Sequence, residues 1–262
     1  MQYPNLDPVA FHIGTWPVYW YGLMYLVGFA GGWAALSSRL KHSPRGITQA
    51  QLSDIVFYTA MGAIIGGRIG YMFFYDFHLL MTAPWTLFET WKGGMSFHGG
   101  LLGVLAALYL CSRFMNLPWL MIVDFIAPAV PIGLGAGRIG NFINGELWGR
   151  ATTLPWGMVF PSADGAARHP SQLYEFVLEG IVLFIILWLY SRKPRPLGAV
   201  SGLFAIGYGV FRFCVEFFRE PDAQIGYLAF GWLTEGQLLS LPLILVGIAL
   251  MVWAYRKQGV SA

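Results

Sequence analysis

Apolar segments of roughly membrane-spanning length follow one another along the chain, near residues 18–38, 52–75, 98–115, 119–140, 172–191, 199–218 and 236–255. In lipid every backbone polar group must be paired internally, so a span is either a helix or part of a closed barrel. Runs of about 20 residues, rather than about 10, select helices. The charge content agrees. Only 11% of the 262 residues are charged, against ~25% in a soluble domain, too few to build a water-facing surface. The expected fold is all-α: a single polytopic membrane domain over 1–262 with seven transmembrane helices.

The net charge of +3 is small and no basic cluster is interleaved with aromatics, so nucleic acid is not an expected partner. The partner implied by composition is the bilayer, and 17% aromatic residues suit interfacial belts of Trp and Tyr. Cys111 and Cys214 sit inside apolar runs with no disulfide or metal-binding spacing and read as buried apolar residues; no metal or cofactor is expected. The stretch MQYPNLDPVAFHIGTWP lacks the basic region and cleavage site of a signal peptide, so the first apolar run is expected to remain as a span.

Lys and Arg placement sets the expected orientation. One side collects Arg39, Lys41, Arg45, Arg113, Arg192, Lys193, Arg195, Arg256 and Lys257; the other holds Lys92, Arg150, Arg168 and Arg219. The N-terminus is then outside and the C-terminus cytoplasmic. The long connections near 76–97 and 141–171 fall outside, and loops of such length commonly fold or carry function.

This orientation gathers polar groups in the outer half of the bilayer. Arg68, Arg138 and Arg212 lie late in spans 2, 4 and 6; Tyr21 and His98 open spans 1 and 3; Glu175 and Glu179 open span 5. An arginine within a span costs ~2.5–3.5 kcal/mol on insertion scales. Three at one depth suggest a shared anionic ligand, and a guanidinium suits phosphate. Tyr208, Arg212 and Glu216 are spaced to share one helix face, where Glu216 would hold Arg212 and Tyr208 would reach a ligand oxygen.

The stretch GRIGNFINGELWGR, Gly137 to Arg150, is the densest polar segment. Pro128, Pro131, Gly133, Gly135 and Gly137 are expected to break span 4 ahead of Arg138, as broken helices do at membrane binding sites. Gly140, Gly145 and Gly149 would allow tight turns, letting Asn141, Asn144 and Glu146 satisfy one another and Arg138. His98, in SFHGG, is a candidate proton acceptor because an imidazole titrates near neutrality. His169, in RHPSQLYE, reads as a loop contact. Asp54 and Asp124 read as ordinary helix-start residues. A short echo, GGRIG at 66–70 and AGRIG at 136–140, hints at related helix pairs.

GRIGNFINGELWG, with SFHGG, HPSQLYE, the Tyr-x-x-x-Arg-x-x-x-Glu face at 208–216 and FREPD, resembles the prolipoprotein diacylglyceryl transferase family over nearly the whole chain. The resemblance implies a bacterial cytoplasmic (inner) membrane enzyme with its active site toward the outer leaflet. It takes phosphatidylglycerol and the lipobox cysteine of a preprolipoprotein, forms a thioether and releases glycerol-1-phosphate, the first step of lipoprotein maturation. It places functional positions at Tyr21, His98, Arg138, Asn141, Glu146, Gly149, Tyr208, Arg212 and Glu216; His98 is the candidate base among them, the alternative being direct thiolate attack with His98 only orienting the lipid. A transporter of an anionic lipid or metabolite is the alternative from another class, though no matching polar set lies toward the cytoplasm.

Overall fold

The structure is a computed structural model that describes residues 1–40, 46–221 and 226–260. Lys41, His42 and Arg45 of the first basic connection and Asp222 of FREPD lie outside the described residues. The chain is mostly helical. A hairpin of β1 (Val9–Ile13) and β2 (Trp16–Tyr19) leads into α1 (Trp20–Leu40) and α2 (Gln49–Phe74). Short α3 (Phe77–Thr82) and two 3₁₀ turns precede α4 (Phe97–Phe114). Then come α5 (Trp119–Ile126), a 3₁₀ turn at Ala127–Ala129 and α6 (Val130–Ile143). A two-stranded ribbon, β3 (Met158–Val159) with β4 (Ala167–Arg168), separates α6 from α7 (Ser171–Glu175). A π-wound segment, Phe176–Val182, joins α7 to α8 (Leu183–Tyr190), and α9 (Ala199–Val215) and α10 (Glu235–Val260) complete the chain.

A helix covers each expected span. Among the described residues five are long and apolar enough to cross a membrane: Gln49–Phe74, Phe97–Phe114, Trp119–Ile143, Ser171–Tyr190 and Glu235–Lys257. Helix α9 is apolar but has 17 residues, about 26 Å at 1.5 Å per residue. Helix α1 has 21 residues, with apolarity lowered by Trp20, Tyr21, Tyr25 and Trp33. Two short β-ribbons accompany this helical fold. Both are too short to show a period-two pattern in sequence, and both lie outside the long helices. The distribution of side chains is that of a protein solvated by lipid. Leu245 is 65% exposed and Phe114 79%, whereas Gln172, Glu175, Glu179 and Gln237 are fully buried.

The helices belong to two compact units, Leu36–Val123 and Met1–Ala35 with Asp124–Ala262. In the first, α2 and α4 approach through glycines. A β-carbon on Gly62 would lie 2.5 Å from the Gly103 carbonyl oxygen, and one on Gly70 would lie 2.7 Å from the Gly99 Cα. Membrane helices have little hydrophobic drive to associate, so such backbone contact supplies dispersion instead. Thr48 caps α2 through a capping box with Gln51, and Ser96 caps α4.

In the second unit α6 meets the π-wound segment at Gly135 and Gly180, and α9 meets α10 at Gly202 and Gly247. Gly135 is therefore a packing position, whereas a β-carbon on Gly133 or Gly137 would meet open space. The break expected ahead of Arg138 falls at Ala127–Ala129, at Pro128, with Pro131 in the first turn of α6. Asp124 also differs from its expected role. It does not start its own helix; its carboxylate accepts from the Gly198 N–H (2.8 Å) and from the Ser201 N–H and hydroxyl (2.9 and 2.6 Å), capping α9 from more than 70 residues away. Cys111 is buried, but Cys214 is exposed, since an outward position in lipid asks only for an apolar side chain.

Asp124→Ala would orphan the first N–H groups of α9. Loss of a cap costs ~0.5–2 kcal/mol, so the thermal unfolding midpoint in detergent is expected to fall by a few degrees, with helix content at low temperature unchanged.

Candidate functional site

The second unit brings together arginines and acids from three helical segments. Arg138 projects from α6 and Arg212 from α9, and both reach Glu175 at the end of α7. Arg138 Nε lies 3.0 Å from Glu175 Oε2, and Arg212 Nη1 donates to Glu175 Oε1. Arg212 Nη2 donates to Glu216 at 3.0 Å, and Arg219 Nη1 to the same oxygen at 3.1 Å. Glu179, one turn beyond Glu175, comes no closer than 3.7 Å to Arg138 Nη2. The carboxylates are fully or almost fully buried, whereas the Arg138 and Arg212 side chains keep 19% and 13% exposure. Charges withdrawn from water are tolerable only when paired and hydrogen-bonded; deleting one partner of such a pair typically costs ~3–5 kcal/mol.

The two arginines differ in how firmly they are held. Both terminal nitrogens of Arg212 have close carboxylate partners. The corresponding nitrogens of Arg138 have long ones: Asn141 Oδ1 at 3.5 Å and Glu179 at 3.7 Å. The terminal edge of Arg138 is thus the loosest strong donor in the cluster and the natural landing place for an added acceptor.

The polar segment after α6 closes on itself as expected. Asn141 Nδ2 donates to Glu146 Oε1 at 2.9 Å and Asn144 Nδ2 to the same oxygen at 3.2 Å. Gly145 makes the turn with φ +65°. Gly140 does not turn the chain; it remains helical and admits the Tyr21 ring, which a β-carbon would meet at 2.8 Å. Tyr21 thereby faces Asn141. Gly149 is required by contact: its N–H donates to the His169 carbonyl at 2.8 Å, and a β-carbon would strike the Phe218 carbonyl and His169.

Several supports lie in motifs the sequence displays, but their partners are remote along the chain. Gln172, fully buried, donates to the Glu146 carbonyl, and Ser171 Oγ donates to that of Leu147 at 3.0 Å. Arg150 donates to the Arg219 and Glu216 carbonyls at 2.9 and 3.1 Å, closing the end of α9. Glu175 and Glu179 were visible as span-opening acids but had no evident partner. The signal that could have found Glu175 is charge balance, because two intramembrane arginines call for more than Glu216.

Tyr208 is half-buried and stacks on Phe204, with ring centroids 5.9 Å apart. His98 and Arg68 belong to the other compact unit. His98 is exposed in the first turn of α4, its ring edge-on to Phe97. Arg68 has a different occupation from the expected anion contact. Its Nε donates to the Leu87 carbonyl, Nη1 to those of Gly93 and Gly94, and Nη2 to that of Thr86. It holds the 84–94 turns in place, so the echo between GGRIG and AGRIG does not extend to side-chain role.

His169 is a loop contact, as expected: Nδ1 lies 3.0 Å from the Tyr174 hydroxyl and the ring packs on Phe218. Burial holds its imidazole below the ordinary value. A depressed histidine favours the fold while neutral. Its contribution is present above ~6.5, the unfolded value, and is lost as pH falls through the folded value. In an NMR titration His169 is expected to protonate only below pH ~6.5. Gly149→Ala, in turn, should sharply lower the yield of folded protein, because the opposing backbone cannot yield.

The model of the prolipoprotein diacylglyceryl transferase family matches residues 8–253. The chain is 58% identical to the phosphatidylglycerol–prolipoprotein diacylglyceryl transferase of Coxiella burnetii (strain RSA 331 / Henzerling II), over 98% of this chain and 99% of that protein. It is 58% identical to that of Pseudomonas paraeruginosa (strain DSM 24068 / PA7), over 99% and 97%, and 57% identical to that of Pseudomonas aeruginosa (strain UCBPP-PA14), over the same shares. A helical chain of membrane-crossing segments with paired arginines, matched along nearly its whole length, belongs to the prolipoprotein diacylglyceryl transferase family.

Proposed function

We propose that the Arg138–Arg212 cluster is where this chain carries out its family's reaction, transfer of the diacylglyceryl group of phosphatidylglycerol to a prolipoprotein. The acceptor is the lipobox cysteine thiol. Its sulfur attacks the glyceryl carbon that bears the phosphate ester; the C–S bond forms and the C–O bond breaks. The bonding electrons pass to the phosphate oxygen, and glycerol-1-phosphate leaves. The thiol proton passes to a base, for which His98 is the candidate, and sulfur is the better nucleophile once deprotonated.

The observation that carries this reading is the contrast between the two arginines. Arg212 is clamped by Glu175 and Glu216, whereas the terminal edge of Arg138 meets only distant acceptors. Preorganised donors aimed at developing charge cost no reorganisation during the reaction. Arg138 receives the phosphate, and Arg212 with Glu175 fixes its direction. Asn141, Asn144 and Glu146 form the adjoining wall, with Tyr21 against it. Gly149 lets the chain after that wall pass close to α9, and Tyr208 and Glu216 line the α9 side. Arg68 contributes by shaping the 84–94 turns. In this reading all seven long helices span the bacterial inner membrane, with the N-terminus outside and the cluster toward the outer leaflet.

The test is transfer of labelled diacylglyceryl from phosphatidylglycerol to a lipobox peptide in proteoliposomes, with phosphatidylethanolamine as comparison. Arg138→Lys keeps the charge but loses the fork of donors, and turnover is expected to fall on the order of 10²–10³-fold, as for loss of one oxyanion donor. Near-normal turnover would reject the site.

A further inference from the structure

Glu179 is the feature of the cluster that its internal pairing leaves unexplained. It lies in the π-wound segment Phe176–Val182, a backbone form that frequently marks functional positions. It is fully buried, yet neither carboxylate oxygen has a hydrogen-bond partner among the described residues. Glu175, one turn earlier, takes both arginines, while Glu179 is left 3.7 Å from Arg138 Nη2. The charged and titratable groups acting on it are Arg138 from α6, Glu175 from its own helical stretch, and Tyr208, Arg212 and Glu216 from the α9 side. Nothing in that set donates a hydrogen bond to it. A buried carboxylate without donors is costly to keep, and the close arginine contacts of the cluster all go to Glu175 and Glu216 instead.

An ionised carboxylate only accepts hydrogen bonds, and its two oxygens sit at the spacing of two neighbouring donors. Arg138 joins the two halves of the site. A phosphate on its loosely held terminal nitrogens puts the ester substituent next to Glu179. The substituent that complements two unpaired acceptors is a pair of neighbouring hydroxyls, as when an acidic side chain holds ribose in nucleotide sites.

We propose that Glu179 is the acceptor for the vicinal hydroxyls of the lipid headgroup and sets preference for a polyol phosphodiester over a simple alkyl one. The assignment rests on the reading of Arg138 and Arg212 as the phosphate site. The diol reaches Glu179 as the Arg138 guanidinium turns from its long contacts onto the phosphate. No bond is made or broken by Glu179; it orients the leaving glycerol phosphate.

The experiment compares phosphatidylglycerol with phosphatidylpropanol, which keeps the phosphodiester and lacks both hydroxyls, as donors in vesicles of otherwise identical lipid. The unmodified enzyme is expected to favour phosphatidylglycerol on the order of 100-fold or more in kcat/KM, because a site built for hydroxyls rejects an analogue lacking them. Glu179→Gln and Glu179→Ala are expected to bring the two donors to within about fivefold of each other, by slowing phosphatidylglycerol while leaving phosphatidylpropanol nearly unchanged. Retained turnover of the hydroxyl-free lipid also reports that the variants fold. Equal use of both donors by the unmodified enzyme would overturn the proposal without any variant, as would a variant that slows both donors equally. Arg138→Lys provides the separate arm: it should slow both lipids alike. If it slows neither, the phosphate site itself is misplaced, a result distinct from failure at Glu179.

Discussion

The carboxylate of Glu175 sits between two guanidiniums, and the second unit's polar interior is organised around it. Two arginines from different helices would repel each other and pay a large desolvation cost in lipid. A fully buried acid between them makes the arrangement affordable and fixes where each guanidinium points. Glu216, shared by Arg212 and Arg219, extends the same logic along the end of α9. The pairing is uneven, and that unevenness is the useful property. Arg212 has a close carboxylate on each terminal nitrogen, while Arg138 keeps a terminal edge with distant partners. A rigid charge beside an available donor is what a phosphate site requires.

Backbone proximity makes such a cluster mechanically sound. Gly135 against Gly180 and Gly202 against Gly247 let helices touch backbone to backbone, so α6, α9 and the π-wound stretch carry their charged groups on closely packed supports. The loop after α6 is tied to the same supports by Gln172 and Ser171 from α7 and by Arg150 at the end of α9. Substitution of any of these should act through position rather than chemistry.

Legibility differed between parts of the molecule. The helices at all seven apolar segments were readable because a bilayer demands long runs, and long runs leave little choice of backbone. The Asn141–Asn144–Glu146 closure was readable because the partners lie within a few residues. Arg68 was misleading because its four carbonyl partners have no side-chain signature. Asp124 looked like a local helix start, since nothing local reveals that its donors are Gly198 and Ser201. The ribbons at 9–19 and 158–168 escaped notice for want of length.

By itself, then, the sequence determined solvent, helix positions, family and the identity of the polar groups, because these depend on composition, local spacing and motif. Tertiary structure alone decided which acid pairs with which arginine, which arginine keeps a loosely held edge, and that Glu179 is buried without a donor. Those outcomes depend on distances between segments remote along the chain, set by where glycines allow helices to meet.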